Sequence, residues 1–171
     1  MRRLGWVSLA IGGLAAVTAV GAELPSRKPG LWAVRMISDN RGPGLVVQQC
    51  IDKATDQMLQ SSAGPISIAA CTKRDVQRSE DAILIDSACT VDGKIATSHA
   101  IITGNLDSAY TMTVTTKSEA LQVGLNMTVT GRWLGPCQPD QKPGDVIMPS
   151  GAKINVPDLQ KRPPSNLPLP R

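Results

Sequence analysis

The chain has 171 residues, of which 1–22 read as a removable leader, leaving 149, the size of one domain plus a tail. Apolar residues make up 42% and charged residues 19%, which excludes both a solvating disordered polymer and a bundle of membrane helices. Aromatics are 2% (Trp6, Trp32, Trp133 and Tyr110), and the net charge of +4 falls to +2 without Arg2 and Arg3. Neither base-stacking platforms nor polyanion attraction fits those values, so a nucleic-acid partner is not expected.

Arg2 and Arg3 precede an uncharged run from Leu4 to Val20, and Val20-Gly21-Ala22 offers the small residues a signal peptidase reads. Cleavage is expected before Glu23. The run falls just short of a bilayer span, and no second run of that length follows. The expected product is exported to the periplasm or beyond and does not span the membrane. Cys50, Cys71, Cys89 and Cys137 are an even set suited to an oxidising compartment. Of three possible connectivities, Cys50–Cys71 with Cys89–Cys137 is favoured. The first pair brackets a short helical excursion, and the second clamps the end of the sheet. Each loop is worth roughly 3–4 kcal/mol in chain entropy. CxxC spacing is absent and His99 is the single histidine, so no metal site and no cofactor is expected.

Along the chain, 23–30 is a proline-bearing lead-in, and Leu31 to Ile37 reads as a strand with Trp32, Val34 and Met36 on one face. A turn cluster over 39–44 leads to a second strand, Leu45 to Cys50. Asp52 caps a helix to about Ser61 whose apolar side holds Ile51, Ala54, Met58 and Leu59, and Gly64-Pro65 ends it. Thr72 to Asp81 reads as an edge strand guarded by Lys73, Arg74 and Arg78. Asp92-Gly93 between Ile83–Val91 and Lys94–Thr103 is a type I′ hairpin signal. A two-residue turn sets Ile83 opposite Ile102, Ile85 opposite Ala100 and Ser87 opposite Ser98, with Asp86 facing His99 on the other side. After a turn at Gly104-Asn105, Tyr110, Met112 and Val114 alternate with threonines, and a reversal is expected at Lys117-Ser118-Glu119. Leu121 to Val129 alternates likewise, the pattern of an antiparallel sheet with one wet face.

The fold class expected is therefore mainly β. Seven strands form an antiparallel meander, as a curved sheet or half-open barrel, with one short helix and an extended C-terminal tail. The disulfide-stapled domain spans 23–137. Residues 138–171 hold eight of the thirteen prolines. Within them 138–157 reads as an ordered extended wrap and 158–171 as a disordered tail.

Three segments together resemble a family of secreted proteins of Gram-negative bacteria classed as a domain of unknown function: Lys28-Pro29-Gly30-Leu31-Trp32, Cys50-Ile51, and Gly131-Arg132-Trp133-Leu134-Gly135-Pro136-Cys137. Gln141-Lys142-Pro143-Gly144-Asp145 follows, as is common in that family, so the resemblance spans roughly 28–151. Ala33 departs from it, since the family often has an acid after the tryptophan. The resemblance implies a periplasmic, disulfide-bonded, sheet-rich domain and carries no activity with it.

No catalytic residue is assigned. His99 beside Asp86 is the one arrangement an envelope hydrolase would need, yet Ser87 and Ser98 fall on the opposite side of the pleat. Trp32, Tyr110 and Trp133 are the candidate ligand-binding side chains, and core packing competes for all three. The function expected is a non-enzymatic envelope domain that binds an apolar small molecule or an envelope protein. The alternatives are a hydrolase built on His99 and an assembly factor acting through the proline-rich tail.

Overall fold

The computed structural model describes residues 25–39, 42–62, 71–91, 93–118 and 124–161. The expected leader, the Gly64-Pro65 helix stop, Leu121 and Val123, and the chain from 162 onward lie outside the described residues. Nine strands form a single antiparallel sheet: β1 (Gly30–Ser38), β2 (Leu45–Ile51), β3 (Cys71–Arg78), β4 (Ala82–Val91), β5 (Lys94–Asn105), β6 (Ala109–Ser118), β7 (Leu125–Gly135), β8 (Asp145–Ile147) and β9 (Lys153–Asn155). Helix α1 (Lys53–Ser62) follows β2, and the single turn α2 (Val156–Gln160) ends the described chain. The spatial order is β3-β4-β5-β6-β7-β1-β2-β8-β9, so the sheet is not closed into a barrel.

From β3 to β7 the sheet is a meander of sequential hairpins, and the alternation of residues fixes its register. Ile83 pairs with Ile102, Ile85 with Ala100, Ser87 with Ser98, and Asp86 with His99, as the Asp-Gly turn requires. Gly93 takes the positive φ (+75°) that a type I′ turn demands. Strand β6 runs through Lys117 and Ser118, which pair with Thr97 and Ala96, so these two residues of the expected reversal belong to the strand, and Glu119 lies outside the described residues. Strand β1 then joins β7, with Val34 opposite Gly131 and Met36 opposite Val129, which seats the N-terminal hairpin between β7 and β8. Gly131 is required at that crossing, because a Cβ there would stand 2.1 Å from the Tyr110 ring.

Among the described residues strands number nine, not seven. The two additions come from 138–157, the stretch expected as an extended wrap. Val146 and Ile147 ladder onto Gln49 and Gln48 of β2, and β9 returns along β8. Pro143, Pro149 and Pro157 fall outside the strands, where a missing backbone donor is harmless. Helix α2 spans Val156–Gln160 and so straddles the expected boundary between wrap and tail at 158.

The disulfide pairing is Cys50–Cys137 and Cys71–Cys89, which corrects the favoured Cys50–Cys71 and Cys89–Cys137. Strand adjacency decides it. Cys71 and Cys89 are direct partners on β3 and β4. Cys50 pairs with Leu31 on one side of β1, and Gly135, two residues before Cys137, meets Leu31 on the other. The Cα atoms of Cys50 and Cys137 are 5.5 Å apart, ordinary disulfide spacing.

The core lies where α1 covers β1, β2 and β7: Trp32, Val34, Val47, Ile51, Leu59 and Val129 are buried, with Met36, Tyr110 and Met112 packed against them. Helix α1 turns a different side inward from the one expected. Thr55, Asp56 and Leu59 are buried, whereas Ala54 is exposed and Met58 half-buried. An acid can face the interior because the lead-in supplies its counter-charge. Arg27 Nε and Nη2 reach Asp56 Oδ1 at 2.8 and 2.7 Å, and the Arg27 backbone N–H donates to Oδ2 at 2.7 Å.

Candidate functional site

Inward-facing side chains from all seven strands β1 to β7 border one space, so this face of the sheet is concave. The space is a cleft of about 230 Å³. Its floor is apolar: Met36, Ile85, Ile102, Met112, Val114 and Met127 line it, joined by Val129 and Leu125. These positions follow from period two. Met112, Val114 and Thr116 of β6 stand opposite Val129, Met127 and Leu125 of β7 and opposite Ile102, Ala100 and Ser98 of β5. Helix α1 roofs only one end, through Leu59 and Gln60. Over β4 to β6, Ile85, Met112 and Val114 remain only half-buried, and no second layer covers them among the described residues.

Polar groups sit at both ends. Beneath α1, Arg27 and Asp56 form their buried pair, Gln60 Nε2 donates to Asp56 Oδ2 at 2.9 Å, and Arg27 Nη1 lies 3.4 Å from the Tyr110 hydroxyl. The guanidinium carbon is 5.6 Å from the Trp32 ring centre and 6.0 Å from that of Tyr110. Burial pushes the Tyr110 phenol above its ordinary pKa, and Arg27 partly offsets the rise. Gln49 is the exception to this satisfied set. Its Oε1 is buried in the cleft wall with no hydrogen-bond partner among the described residues. At the opposite end stand Arg74, Ser87, Ser98 and Thr116.

The three aromatic candidates separate. Tyr110 lines the cleft, whereas Trp32 is fully buried in the core with its Nε1 donating to the Lys28 carbonyl at 2.8 Å. Trp133 lies outside the cleft, half-buried under the Lys28 ammonium, 3.8 Å from its ring centre. His99 Nδ1 meets Asp86 Oδ1 at 2.7 Å, and both side chains are about half exposed on the convex face. Ser87 and Ser98 face the cleft, so sheet geometry separates them from His99. A second hollow, near 139–159, is ringed by charges that pair with one another: Lys142 with Asp158 at 2.8 Å and Lys153 with Asp140 at 3.0 Å. Those contacts hold the Asp140 carboxyl below and the Lys142 ammonium above their ordinary pKa values. No cluster of three metal-ligating side chains occurs among the described residues.

Sequence reading missed Arg27, Gln49 and Arg74 as cleft residues. Arg27 lay in the lead-in and Gln49 in a short hydrophilic pair. Arg74 was assigned to edge protection, and only its local register shows that it turns inward. Residues 27–137 match the model of a family described as a protein of unknown function (DUF3617). No curated protein and no solved structure matches the chain. Two disulfides fit an oxidising compartment, and no described helix is long and apolar enough to cross a membrane.

Proposed function

This chain belongs to the DUF3617 family of unknown function, and we propose that it is an exported, non-enzymatic domain that holds an apolar small molecule in its concave face. The observation that carries this reading is the half-roofed cleft itself. A mostly apolar wall, built chiefly by β1 and β4 to β7, is left without a covering layer among the described residues. Contiguous apolar surface of this kind marks binding sites, and concave, mostly apolar clefts with a few placed polar groups are the usual form of small-molecule sites. Three of the lining residues are methionines, whose unbranched thioethers adapt to ligand shape. The orphaned Gln49 Oε1 adds a buried acceptor in the same wall.

The test is native mass spectrometry of the protein expressed with its own leader in a Gram-negative host and purified without detergent. A co-purifying lipid-sized mass is expected. A clean apo mass at high concentration, with no uptake of added apolar compounds, would count against the reading. His99→Ala separates this function from a hydrolase. Ligand retention is expected to be unchanged, and stability to move by less than about 1 kcal/mol, as for an exposed pair.

A further inference from the structure

The chemistry of the open end of the cleft indicates what kind of molecule it takes. Strand β3 is interrupted by one register shift between Cys71 and Lys73. Unbroken alternation would turn Lys73 and Asp75 to the side of Cys71. The shift resets it, so that Arg74 and Val76 are half-buried while Lys73 and Asp75 are exposed. Bulges at sheet edges re-aim side chains in this way. Arg74 then stands opposite Ser87, Ser87 opposite Ser98, and Ser98 opposite Thr116. One row across four strands thus carries a guanidinium and three hydroxyls.

Ser98 and Thr116 share a hydrogen bond of 3.0 Å. Beyond the backbone ladder, neither the Arg74 nor the Ser87 side chain has a hydrogen bond or ion pair among the described residues. The nearest carboxylates in these strands, Asp75 and Asp86, alternate with the inward residues and so belong to the convex side, where Asp86 holds His99. A guanidinium with no carboxylate partner among the described residues, set among hydroxyl donors at the mouth of an apolar cleft, is the complement of an oxyanion.

The remainder of the cleft fixes the rest of the ligand. From Thr116 to Tyr110 it follows seven residues of β6, about 20 Å of strand, over Met112 and Val114 with Met127 alongside. Its volume of about 230 Å³ falls below the ~300–1,000 Å³ of pockets for drug-sized ligands, which suits one slender chain and not a sterol or a two-chain lipid. We infer that the cleft binds a single-chain carboxylic acid, a free fatty acid. Its carboxylate is held by Arg74, by the Ser87 hydroxyl and by the one hydroxyl of the hydrogen-bonded Ser98–Thr116 pair whose proton is free, and its chain lies over Val114, Met127 and Met112. This assignment rests on the apolar-ligand reading above and narrows it to an anionic amphiphile.

Calorimetric titration of the purified protein with dodecanoate, dodecanol and dodecyl phosphate, each below its micellar concentration, tests it. Dodecanoate is expected to bind about ten- to hundredfold tighter than dodecanol, the range of one charge-assisted hydrogen-bonded pair. In Arg74→Gln that preference should vanish with dodecanol affinity unchanged, and Arg74→Lys should restore part of it. Equal binding of acid and alcohol by the wild-type protein, or a preference that survives Arg74→Gln, overturns the head-group assignment and leaves the apolar cleft standing. Tighter binding of the phosphate than of the acid overturns the carboxylate. Binding of none of the three overturns the head-group assignment and the cleft reading together.

Discussion

Asp56 has no exposed surface, and three hydrogen bonds from Arg27 together with one from Gln60 hold its carboxylate. A buried pair of this kind contributes little net stability compared with an apolar substitute, yet breaking it is costly because the partner stays buried and charged. Asp56→Ala is therefore expected to lose about 3–5 kcal/mol in a urea melt. Asp56→Asn should retain the Gln60 contact and fall between. Gln49 presents the reverse case. Its unsatisfied Oε1 costs about 1–3 kcal/mol in the free protein, so Gln49→Met should be neutral or raise the melting temperature. A drop in stability for Gln49→Met would show that the oxygen is already satisfied.

Among the elements, α1 carries the clearest local signal. Asp52 caps it: Oδ1 accepts from the Thr55 N–H at 2.8 Å, while the Thr55 hydroxyl accepts from the Asp52 N–H at 2.9 Å, a reciprocal capping arrangement. The Thr55 N–H and the Thr55 hydroxyl, which donates to the same Oδ1 at 2.7 Å, hold the Asp52 carboxyl below its ordinary pKa. A depressed carboxylate stabilises the fold fully above its unfolded value, near pH 4, and loses that contribution as pH falls through the lower folded value. Asp52→Ala is expected to cost about 1 kcal/mol at neutral pH. The gap to wild type should close in melts taken below about pH 4. In β3, by contrast, the decisive feature is one extra residue. The bulge between Cys71 and Lys73 leaves no mark in composition, and it determines whether Arg74 guards an edge or points into the cleft.

At the scale of the whole molecule, the two disulfides do unequal work. Cys50–Cys137 closes 87 residues and Cys71–Cys89 closes 18, which gives about 4.6 and 3.2 kcal/mol of loop entropy. Replacing Cys50 and Cys137 by serine should lower thermal stability more than replacing Cys71 and Cys89. The second pair lies at the free edge of the meander and the first spans the core. Hydrogen exchange is expected to show global loosening in one double variant and loosening of β3 alone in the other. What the sequence determined by itself was local. Alternation placed the inward faces of β1 and β4 to β7, and the Asp92-Gly93 turn set the β4–β5 register, because side chains two apart must share a face and a tight turn counts residues. The tertiary structure decided which distant strands meet. The seating of β1 beside β7, the disulfide partners, the buried Arg27–Asp56 pair and the union of seven inward faces into one cleft all join residues far apart in the chain. Such contacts leave no period in the sequence, since nothing about either partner alone records the cost or gain of bringing the two together.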